Sequence, residues 1–408
     1  MNKQQEPRLR FKGFTGAWEE KVLGENASFT KGSGYSKSDL TDSGFPIILY
    51  GRLYTKYENI IENVDTFVSC DKNALKSLGN EVIVPASGET AEDIARASAV
   101  YQQDVILGGD LNIITPNENI ASPFLALTLT NGKSNQELAK KAQGKSVVHL
   151  RNDDLRACKI SFPSFLEQTH LGLFFRRLDN QIAESRAVLE KSHQLKKAML
   201  AKMFPANGEK IPQIRFKGFA GEWESRKLGI EVEIIGGGTP DTTNSAYWNG
   251  DIDWYSPTEI GEAAYANGSV KKITLLGLQK SSAQILPANR TVLFTSRASI
   301  GDMAILTRDG ATNQGFQSFV VGERLDVYFL YTMGFKIKDY ALKNASGSTF
   351  LEISKNTLSQ MEFFAPSLKE QTAIGNFFRQ LDETIALQTA EVEKLNQLKK
   401  GLLAAMLV

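Results

Sequence analysis

The sequence predicts an α+β fold in which two α/β bodies are separated by two long antiparallel coiled-coil helices, with a pseudo-twofold internal repeat. Two observations predict it. A short motif occurs twice, as RFKGFTGAWE at residues 10–19 and as RFKGFAGEWE at residues 215–224. A longer segment at residues 161–204 also returns, at residues 364–407. Because both repeats occur in the same order, the chain consists of two tandem halves, each with an RFKGF motif, a variable body and a long helix.

The RFKGF motif opens each half. Residues 7–24 align with residues 212–229 at an offset of 205. The basic side chains of the motif, Arg10, Lys12, Arg215 and Lys217, could bind phosphates. The repeated Phe, Gly and Trp residues favour a packed turn that anchors each body, because two Phe and one Trp bury a large apolar area.

The two bodies show the pattern of small α/β domains. Short β-rich runs bounded by Gly and Pro predict strands at 81–85, 104–108 and 111–116 in the first body and at 290–296, 302–306 and 318–322 in the second. Helical runs follow at 123–129 and 327–333. The bodies are alike in plan although their residues diverge, which is expected if two inserts on a repeated scaffold recognise different targets.

The long helices are predicted from a heptad pattern. Seven of ten stripe positions are apolar in the first helix, which has Leu171, Phe175, Leu178, Ile182, Ser185, Leu189, Ser192, Lys196, Met199 and Met203. Eight of ten are apolar in the second, which has Ile374, Phe378, Leu381, Ile385, Gln388, Val392, Leu395, Lys399, Leu402 and Met406. Two stripes of equal length predict a coiled coil, with one amphipathic helix against each body as the alternative. Pro163 and Pro366 mark the beginning of the helices, and the Asn-Gly pair at 207–208 closes the first.

The predicted domains are the first motif and body at 1–160, the first helix at 161–204, the second motif and body at 205–363, and the second helix at 364–408. At 408 residues, the length fits two or three domains of about 150 residues. No apolar run reaches the roughly 18 residues of a membrane span, and the first residues lack the apolar stretch of a signal peptide, so we expect a cytoplasmic protein. Cys70 and Cys158 lie too far apart in sequence to suggest a disulfide scaffold or a zinc site.

Together these motifs resemble the specificity subunit of type I restriction-modification systems, over essentially the whole chain. The resemblance rests on the two RFKGF motifs, on GKSVVHLRNDDL at 144–155 with GSTFLEISKNTL at 347–358, and on the paired PS..EQT....FF..LD segments that begin the helices. GGGTPDTTNSAYWNGDIDWYSP at 236–257 also resembles the opening of one common type of target recognition domain. The resemblance implies two target recognition domains, with two helices that act as spacer and as docking surface.

The resemblance further implies the partners. These are double-stranded DNA, two modification (methyltransferase) subunits and two restriction (translocase and nuclease) subunits. It implies no cofactor on this chain, S-adenosylmethionine on the modification subunit, and ATP with Mg on the restriction subunit. Because the two bodies differ, we expect a bipartite asymmetric site. About 38 helical residues span roughly 57 Å, between one and two turns of B-DNA, so we expect the gap between the half-sites to be set by helix length.

Candidate DNA contacts are polar or aromatic residues in predicted loops, since base edges are read by such side chains and phosphates by cations. A solvated loop or a core polar residue is the alternative for each. The candidates are Arg52, Tyr54 and Lys56 in YGRLYTKY, Ser87 in SGET, Thr239 and Tyr247 around GGGTP, Arg297 in TSRASIG, and Asn313 and Gln314 in TNQGF. GGGTP lacks the spacing of nucleotide-binding loops and is interpreted as a turn.

Candidate partner contacts lie on the helices but off the apolar stripes. The two copies are repeated closely enough there to contact two identical partners. The predicted contacts are Phe174 and Arg177 in the first helix and Phe377 and Arg379 in the second, with Leu195 and Leu398 further along.

No motif for chemistry is found. No NPP or DPP methyltransferase motif occurs, and the only carboxylate-x-Lys triplet, Glu19-Glu20-Lys21, has no Asp before it. His149, His170 and His193 are scattered, so we expect a chain that binds and positions but does not catalyse. Two alternatives stay open, a divergent DNA methyltransferase and a coiled-coil adaptor that binds something other than DNA. The net charge of +1 keeps the adaptor open, because DNA-binding domains are often basic.

Overall fold

The computed structural model describes residues 6–408 except 33, 72–73, 143, 145–146, 207, 262 and 348–350. The chain forms two compact units. The first comprises Met1–Ser185 with Glu391–Val408, and the second comprises Arg186–Ala390. Each unit therefore contains one body, the beginning of the helix that follows it, and the end of the helix from the other half of the sequence.

The first half of the chain contains thirteen described strands and six helices. The strands are β1 Glu19–Val22, β2 Ala27–Lys31, β3 Leu40–Thr41, β4 Phe45–Ile48, β5 Ile60–Ile61, β6 Phe67–Val68, β7 Val82–Pro85, β8 Ser87–Gly88, β9 Ser98–Val100, β10 Ile106–Leu107, β11 Leu111–Pro116, β12 Val148–His149 and β13 Lys159–Phe162. The helices are α1 Arg52–Thr55, α2 Ala91–Ile94, α3 Ser122–Thr130, α4 Gly132–Lys141, α5 Asn152–Arg156 and α6 Phe165–Met203.

The second half contains ten described strands and six helices. The strands are β14 Glu224–Lys227, β15 Val232–Gly236, β16 Trp248–Tyr255, β17 Tyr265–Ala266, β18 Lys271–Ile273, β19 Thr291–Phe294, β20 Met303–Leu306, β21 Gly310–Thr312, β22 Gln317–Val321 and β23 Glu362–Ala365. The helices are α7 Leu228–Glu231, α8 Leu275–Gln279, α9 Val327–Thr332, α10 Gly334–Asn344, α11 Lys355–Ser359 and α12 Leu368–Met406.

The central sheets of the two bodies have the same topology. The strand order is β2-β11-β7-β9-β5 in the first body and β15-β22-β19-β20-β17 in the second. In both sheets the first four strands are antiparallel, and the last strand is parallel to its neighbour. The predicted β-rich runs and the two helical runs all lie on these elements or on β10, and the predicted α/β bodies are confirmed.

The RFKGF motif is held by a buried ion pair in each unit. Nε and Nη2 of Arg10 donate to the two carboxylate oxygens of Glu167, both at 2.7 Å, and Arg215 binds Glu370 in the same way, also at 2.7 Å. Both glutamate side chains are only 2% exposed, so the pairs are shielded from water. The packing interpretation of the motif is thereby supported for both arginines, whose guanidinium groups are occupied within the protein.

The glutamine that follows each glutamate ties the helix to the body. Gln168 accepts a hydrogen bond from the backbone N of Ala121 at 3.0 Å, just before α3. Gln371 accepts one from the backbone N of Asp326, also at 3.0 Å, just before α9. The repeated Glu-Gln pair thus anchors both the motif and the first body helix, which explains its presence in both copies.

The heptad stripes are buried as predicted. All twenty stripe positions are buried or half-buried in the structure. In the first unit, Leu171 and Phe175 share a core with Met406, while Leu395 and Leu402 pack against that core. In the second unit, Met203 shares a core with Ile374 and Phe378. The beginning of each helix therefore packs against the end of the other.

The lysines that interrupt the two stripes form ion pairs. Lys399 binds Asp179 in the first unit, and Lys196 binds Asp382 at 2.5 Å in the second. The two pairs are equivalent under the repeat offset of 203, since Asp179 aligns with Asp382 and Lys196 with Lys399. In the second unit, the ring of Phe204 also lies 6.4 Å from that of Phe378. Later residues of α6 thus meet earlier residues of α12, so the segments run antiparallel.

A backbone hydrogen bond closes each unit in the same way. The amide of Leu9 donates to Ala405 O at 2.9 Å, and the amide of Ile214 donates to Lys202 O at 2.9 Å. The end of one helix therefore adjoins the RFKGF motif in both units.

Two boundary predictions need correction. The helices begin at Phe165 and Leu368, after the prolines. Residues 161–162 and 364–365 instead belong to β13 and β23, which pair with β1 and β14 because the chain before each proline is extended. The Asn-Gly signal that was expected to close the first helix includes residue 207, which lies outside the described residues.

Candidate nucleic-acid interface

Arg52 in the first body is a structural residue. Its side chain is 6% exposed, and its guanidinium donates to Asp65 at 2.5 Å, to Glu58 at 2.8 Å and to the backbone O of Asn63 at 3.0 Å. Three acceptors and burial leave it unable to reach a base edge without breaking this network. Because α1 places this side chain inward, the structure disfavours Arg52 as a DNA contact.

Lys56 lies at the surface beside this network. Its ammonium binds Asp65 at 2.7 Å, and its side chain is 52% exposed. The hydrogen bonds from Lys56 and Arg52 lower the pKa of Asp65 to about 2. Lys56 is partly neutralised by this aspartate, so it remains a candidate for a phosphate contact that would compete with an exposed ion pair.

Tyr54 and Ser87 are brought together by the fold. The Tyr54 hydroxyl donates to Ser87 O at 3.0 Å, and burial raises the pKa of this tyrosine to about 12. Ser87 is itself buried, and its hydroxyl donates to the carboxylate of Asp110 at 2.8 Å. Asp110 is exposed and has a positive φ of 59°. The sequence reasoning did not select Asp110, although its place after Gly108 and Gly109 between two β-rich runs marks a turn.

Three of the five candidates in the second body meet at one loop cluster. The hydroxyl of Thr239 donates to the side-chain oxygen of Gln314. Asn313 precedes Gln314, and its side-chain oxygen accepts from the amide of Gly315 at 2.8 Å, which shapes the turn. The GGGTP segment joins this turn through a hydrogen bond from Gly238 N to Thr312 O at 2.8 Å. The interpretation of the glycines as a turn is corrected, because Gly236 ends β15 and Gly237 and Gly238 continue as irregular backbone. The turn lies instead at residues 314–315, and it presents Gln314 at the surface.

Arg297 adjoins the same cluster. The amide of the preceding Ser296 donates to Gly315 O at 2.8 Å, and Arg297 forms an isolated bridge with Glu352. The Arg297 side chain is half-buried, and within the described residues its guanidinium makes no ion pair or hydrogen bond. Tyr247 belongs to a different group of contacts, since its carbonyl accepts from Thr274 N at 2.9 Å near α8.

Ser87 and Arg297 occupy equivalent places in the two bodies. Ser87 pairs with His149, Arg297 pairs with Glu352, and His149 and Glu352 are equivalent under the offset of 203. The residues before them make matching hydrogen bonds. Ala86 N donates to Asp110 O at 2.7 Å, as Ser296 N does to Gly315 O, and Leu150 N donates to Ala86 O as Ile353 N does to Ser296 O. The same backbone site therefore holds different side chains in the two bodies.

The phenylalanines predicted to contact partners have a structural role. Phe174 packs edge-on against Phe11 at 5.5 Å between ring centroids, and Phe377 packs against Phe216 at 6.0 Å. An aspartate at either position would lose this ring contact and destabilise the RFKGF motif. Arg177 and Arg379 are exposed, as are Leu195 at 46% and Leu398 at 51%. The exposed repeated residues are the stronger candidates for a docking surface.

Among the described residues, no group of three or more His, Cys, Asp or Glu side chains is placed to hold a metal ion. None of the described helices is both long and apolar enough to cross a membrane.

Comparison with known proteins gives a consistent assignment. The sequence matches the family described as "Type I restriction modification DNA specificity domain" twice, at residues 16–191 and 220–397. The MjaIX type I specificity subunit of Methanocaldococcus jannaschii is 33% identical over 43% of this chain, and the match spans 42% of that relative's length. The putative MjaX specificity subunit of the same organism is 24% identical over 76% of this chain and 73% of that protein.

Solved structures share the fold. The S subunit of a type I restriction-modification system from M. genitalium superimposes with a TM-score of 0.65 at 15% identity, over 99% of both chains. A chain from a structural study of type I complex assembly gives a TM-score of 0.54 at 18% identity, over 95% of this chain and 96% of that one. Because the family model matches both halves and covers most of the sequence, this chain belongs to the type I restriction-modification specificity subunit family.

Proposed function

We propose that this chain is the DNA sequence-recognition subunit of a type I restriction-modification complex, and that its two target recognition domains bind a bipartite asymmetric DNA site. The contrast between scaffold and loops supports this most directly. The Arg10–Glu167 and Arg215–Glu370 anchors are alike, whereas the loops around Ser87 and Arg297 differ in chemistry. Because bases are read by side chains of different donor and acceptor character, two such bodies suit two unlike half-sites.

The chain acts by binding and positioning and does not catalyse. In this proposal two modification subunits dock on the helices and supply methyl transfer with S-adenosylmethionine. Two restriction subunits join the full complex and use ATP and Mg. The repeated exposed leucines, Leu195 and Leu398, are the proposed contacts for two identical modification subunits, since each lies at the same place in its helix and is about half exposed.

The first test is adenine-methylation sequencing of host DNA with the gene intact and deleted. We expect a two-part asymmetric motif with a fixed gap to lose methylation on deletion. If the system is silent in its host, the chain is co-expressed with its modification subunit in a methylation-free host. A methylome unchanged by the active pair would contradict the proposal. Incorporation of label from S-adenosylmethionine by this chain alone would favour the divergent methyltransferase.

The spacing role of the helices is tested by removing one heptad from each, residues 183–189 and 386–392. This shortens the 179–196 and 382–399 intervals equally, so both Lys–Asp pairs can still form. We expect the gap to shorten by about 10 Å, or about three base pairs, with both half-sites unchanged. Deletion of either heptad alone is the control, because the two intervals then differ in length and the two Lys–Asp pairs cannot form at the same time. An unchanged gap with altered half-sites would refute the spacing role.

The docking role is tested with Leu195→Asp combined with Leu398→Asp. We expect loss of modification-subunit binding in pull-down and size-exclusion experiments, with an unchanged thermal melting temperature for the free chain. Val188→Asp is the matched control, since Val188 is equally exposed at 50% but its repeat equivalent is Glu391. Full assembly by the double variant would exclude this surface. A chain that binds a protein partner but shows no salt-sensitive DNA binding would instead favour the adaptor.

A further inference from the structure

The loop that carries Arg297 has a backbone fixed by hydrogen bonds and a side chain that no described residue accepts a hydrogen bond from. The backbone is tied on both sides, by Ser296 N to Gly315 O at 2.8 Å and by Ile353 N to Ser296 O at 3.0 Å. The guanidinium, by contrast, makes no ion pair or hydrogen bond within the part of the chain that the structure describes. Arg226 and Arg324 of the same body bind Glu231, and Arg52 of the first body is enclosed by two acids.

The neighbouring turn also presents a hydrogen-bond donor. Thr239 occupies the side-chain oxygen of Gln314, which leaves the exposed Gln314 amide nitrogen without a partner among the described residues. Arg297 and Gln314 lie on loops joined by the hydrogen bond from Ser296 N to Gly315 O. Two planar donors without partners among the described residues, on adjacent loops joined by a hydrogen bond, suit recognition of acceptors on a purine edge.

The equivalent site in the first body has the opposite character. There the backbone is the same, but it holds Ser87 with the carboxylate of Asp110 at 2.8 Å. Phosphate contacts carry no sequence information and would suit the same residue in both bodies, as the repeated anchors do. A site where the backbone is kept, while a serine bound to an aspartate is replaced by an arginine, is a site that distinguishes the two targets.

We propose that Arg297 is a specificity-determining residue of the second body and that it reads a guanine in the major groove. This inference rests on the proposed DNA-recognition function. The planar guanidinium can donate two parallel hydrogen bonds to guanine O6 and N7, the commonest specific contact of arginine with DNA. Lysine cannot reproduce the fork, although it keeps the charge.

The test uses the full chain with its modification subunits. The DNA is a duplex that carries the recognition site identified by methylation sequencing. Each guanine is replaced in turn by 7-deazaguanine, which lacks the N7 acceptor. We expect one guanine, in one half-site only, whose replacement weakens wild-type binding about 5- to 150-fold. Arg297→Ala should weaken binding to DNA with ordinary guanine by a similar factor. Its binding should not change further when that guanine is replaced by 7-deazaguanine. Arg297→Lys should keep general DNA binding and lose the discrimination.

Arg308→Ala is the matched control, because it removes an exposed cation from the same body and should leave guanine discrimination intact. Unchanged preference for the other half-site shows that each variant is folded. Equal weakening on all sequences would mean a phosphate contact and overturn the inference, as would a half-site without guanine or a variant that keeps wild-type sensitivity. A wild-type complex with no bipartite preference would refute the proposed function itself, whatever the variants do.

Discussion

The buried ion pair between Arg10 and Glu167 gives the sharpest prediction about stability. Arg10→Ala removes both hydrogen bonds, each 2.7 Å long, from a carboxylate that is 2% exposed. Removing one partner of a buried pair costs about 3–5 kcal/mol, because the remaining charge is left without compensation. Since the Arg10 side chain is 16% exposed, water can reach part of the vacated space, and we expect the lower end, about 3 kcal/mol.

Hydrogen exchange followed by mass spectrometry measures this loss in each unit separately. A loss of about 3 kcal/mol accelerates exchange roughly 150-fold where exchange requires unfolding of the unit. Peptides from the beginning of α6 should report it for Arg10→Ala, and peptides from the beginning of α12 should report it for Arg215→Ala. The second variant breaks an equivalent pair, with Glu370 also 2% exposed.

Lys12→Ala is the matched control from the same motif. Lys12 is exposed, and surface substitutions usually change stability by no more than about 0.5 kcal/mol. The double variant Arg10→Met with Glu167→Leu should recover most of the loss, because apolar replacement of a buried pair is often neutral. If Arg10→Ala weakened DNA binding but left exchange unchanged, the arginine would be a phosphate ligand and the packing argument would be refuted.

Three further predictions concern the ion pairs between the long helices, the stability of the first body at acid pH, and a circular permutant of the chain. Lys399→Asp places like charges beside Asp179 and should cost about 1–3 kcal/mol in urea unfolding, whereas adding Asp179→Lys should restore most of it; no recovery would contradict the pairing. The pKa of Asp65 is lowered from 3.8 to about 2, so its contribution to stability is complete above the unfolded value and is lost as pH falls through the folded value. Asp65→Asn should therefore flatten the decline of first-body stability between pH 4 and 2 in acid titration, and an unaltered decline would assign it to other groups. A circular permutant opened at 205–211 should fold and bind DNA normally, because the same backbone hydrogen bond closes both units, and failure to fold would count against that equivalence.

Much of the scaffold could be predicted because it is encoded in repeats and periodic patterns. The heptad stripes predicted which face of each long helix is buried, and the duplicated RFKGF motif predicted a packed anchor. Even the two lysines that interrupt the stripes have partners in the repeat, since Asp179 and Asp382 lie at matching positions. The sequence could not reveal these ion pairs, because each connects two residues that lie about 200 positions apart.

The candidate interface was harder to predict because it depends on which way single side chains point. Arg52 and Arg297 have similar sequence contexts, because each lies in a predicted loop of a variable body. Packing makes them different, since Arg52 is enclosed by two acids and a carbonyl, while the Arg297 guanidinium has no ion pair or hydrogen bond to any described residue. Similarly, the sequence suggested that Phe174 is available at the surface, whereas in the fold its ring packs against Phe11.

The sequence by itself determined the family, the duplicated order of motif, body and helix, and the buried stripes, because repeats and short-range periodicity are properties of the linear chain. Tertiary structure alone decided that Ser87 and Arg297 occupy equivalent backbone sites in the two bodies. It also decided that Asp110 binds Ser87 and that the Arg52 side chain is buried. Those facts arise from strand pairing and burial between residues distant in sequence, where the competition among partners for each charge is settled only in the folded protein.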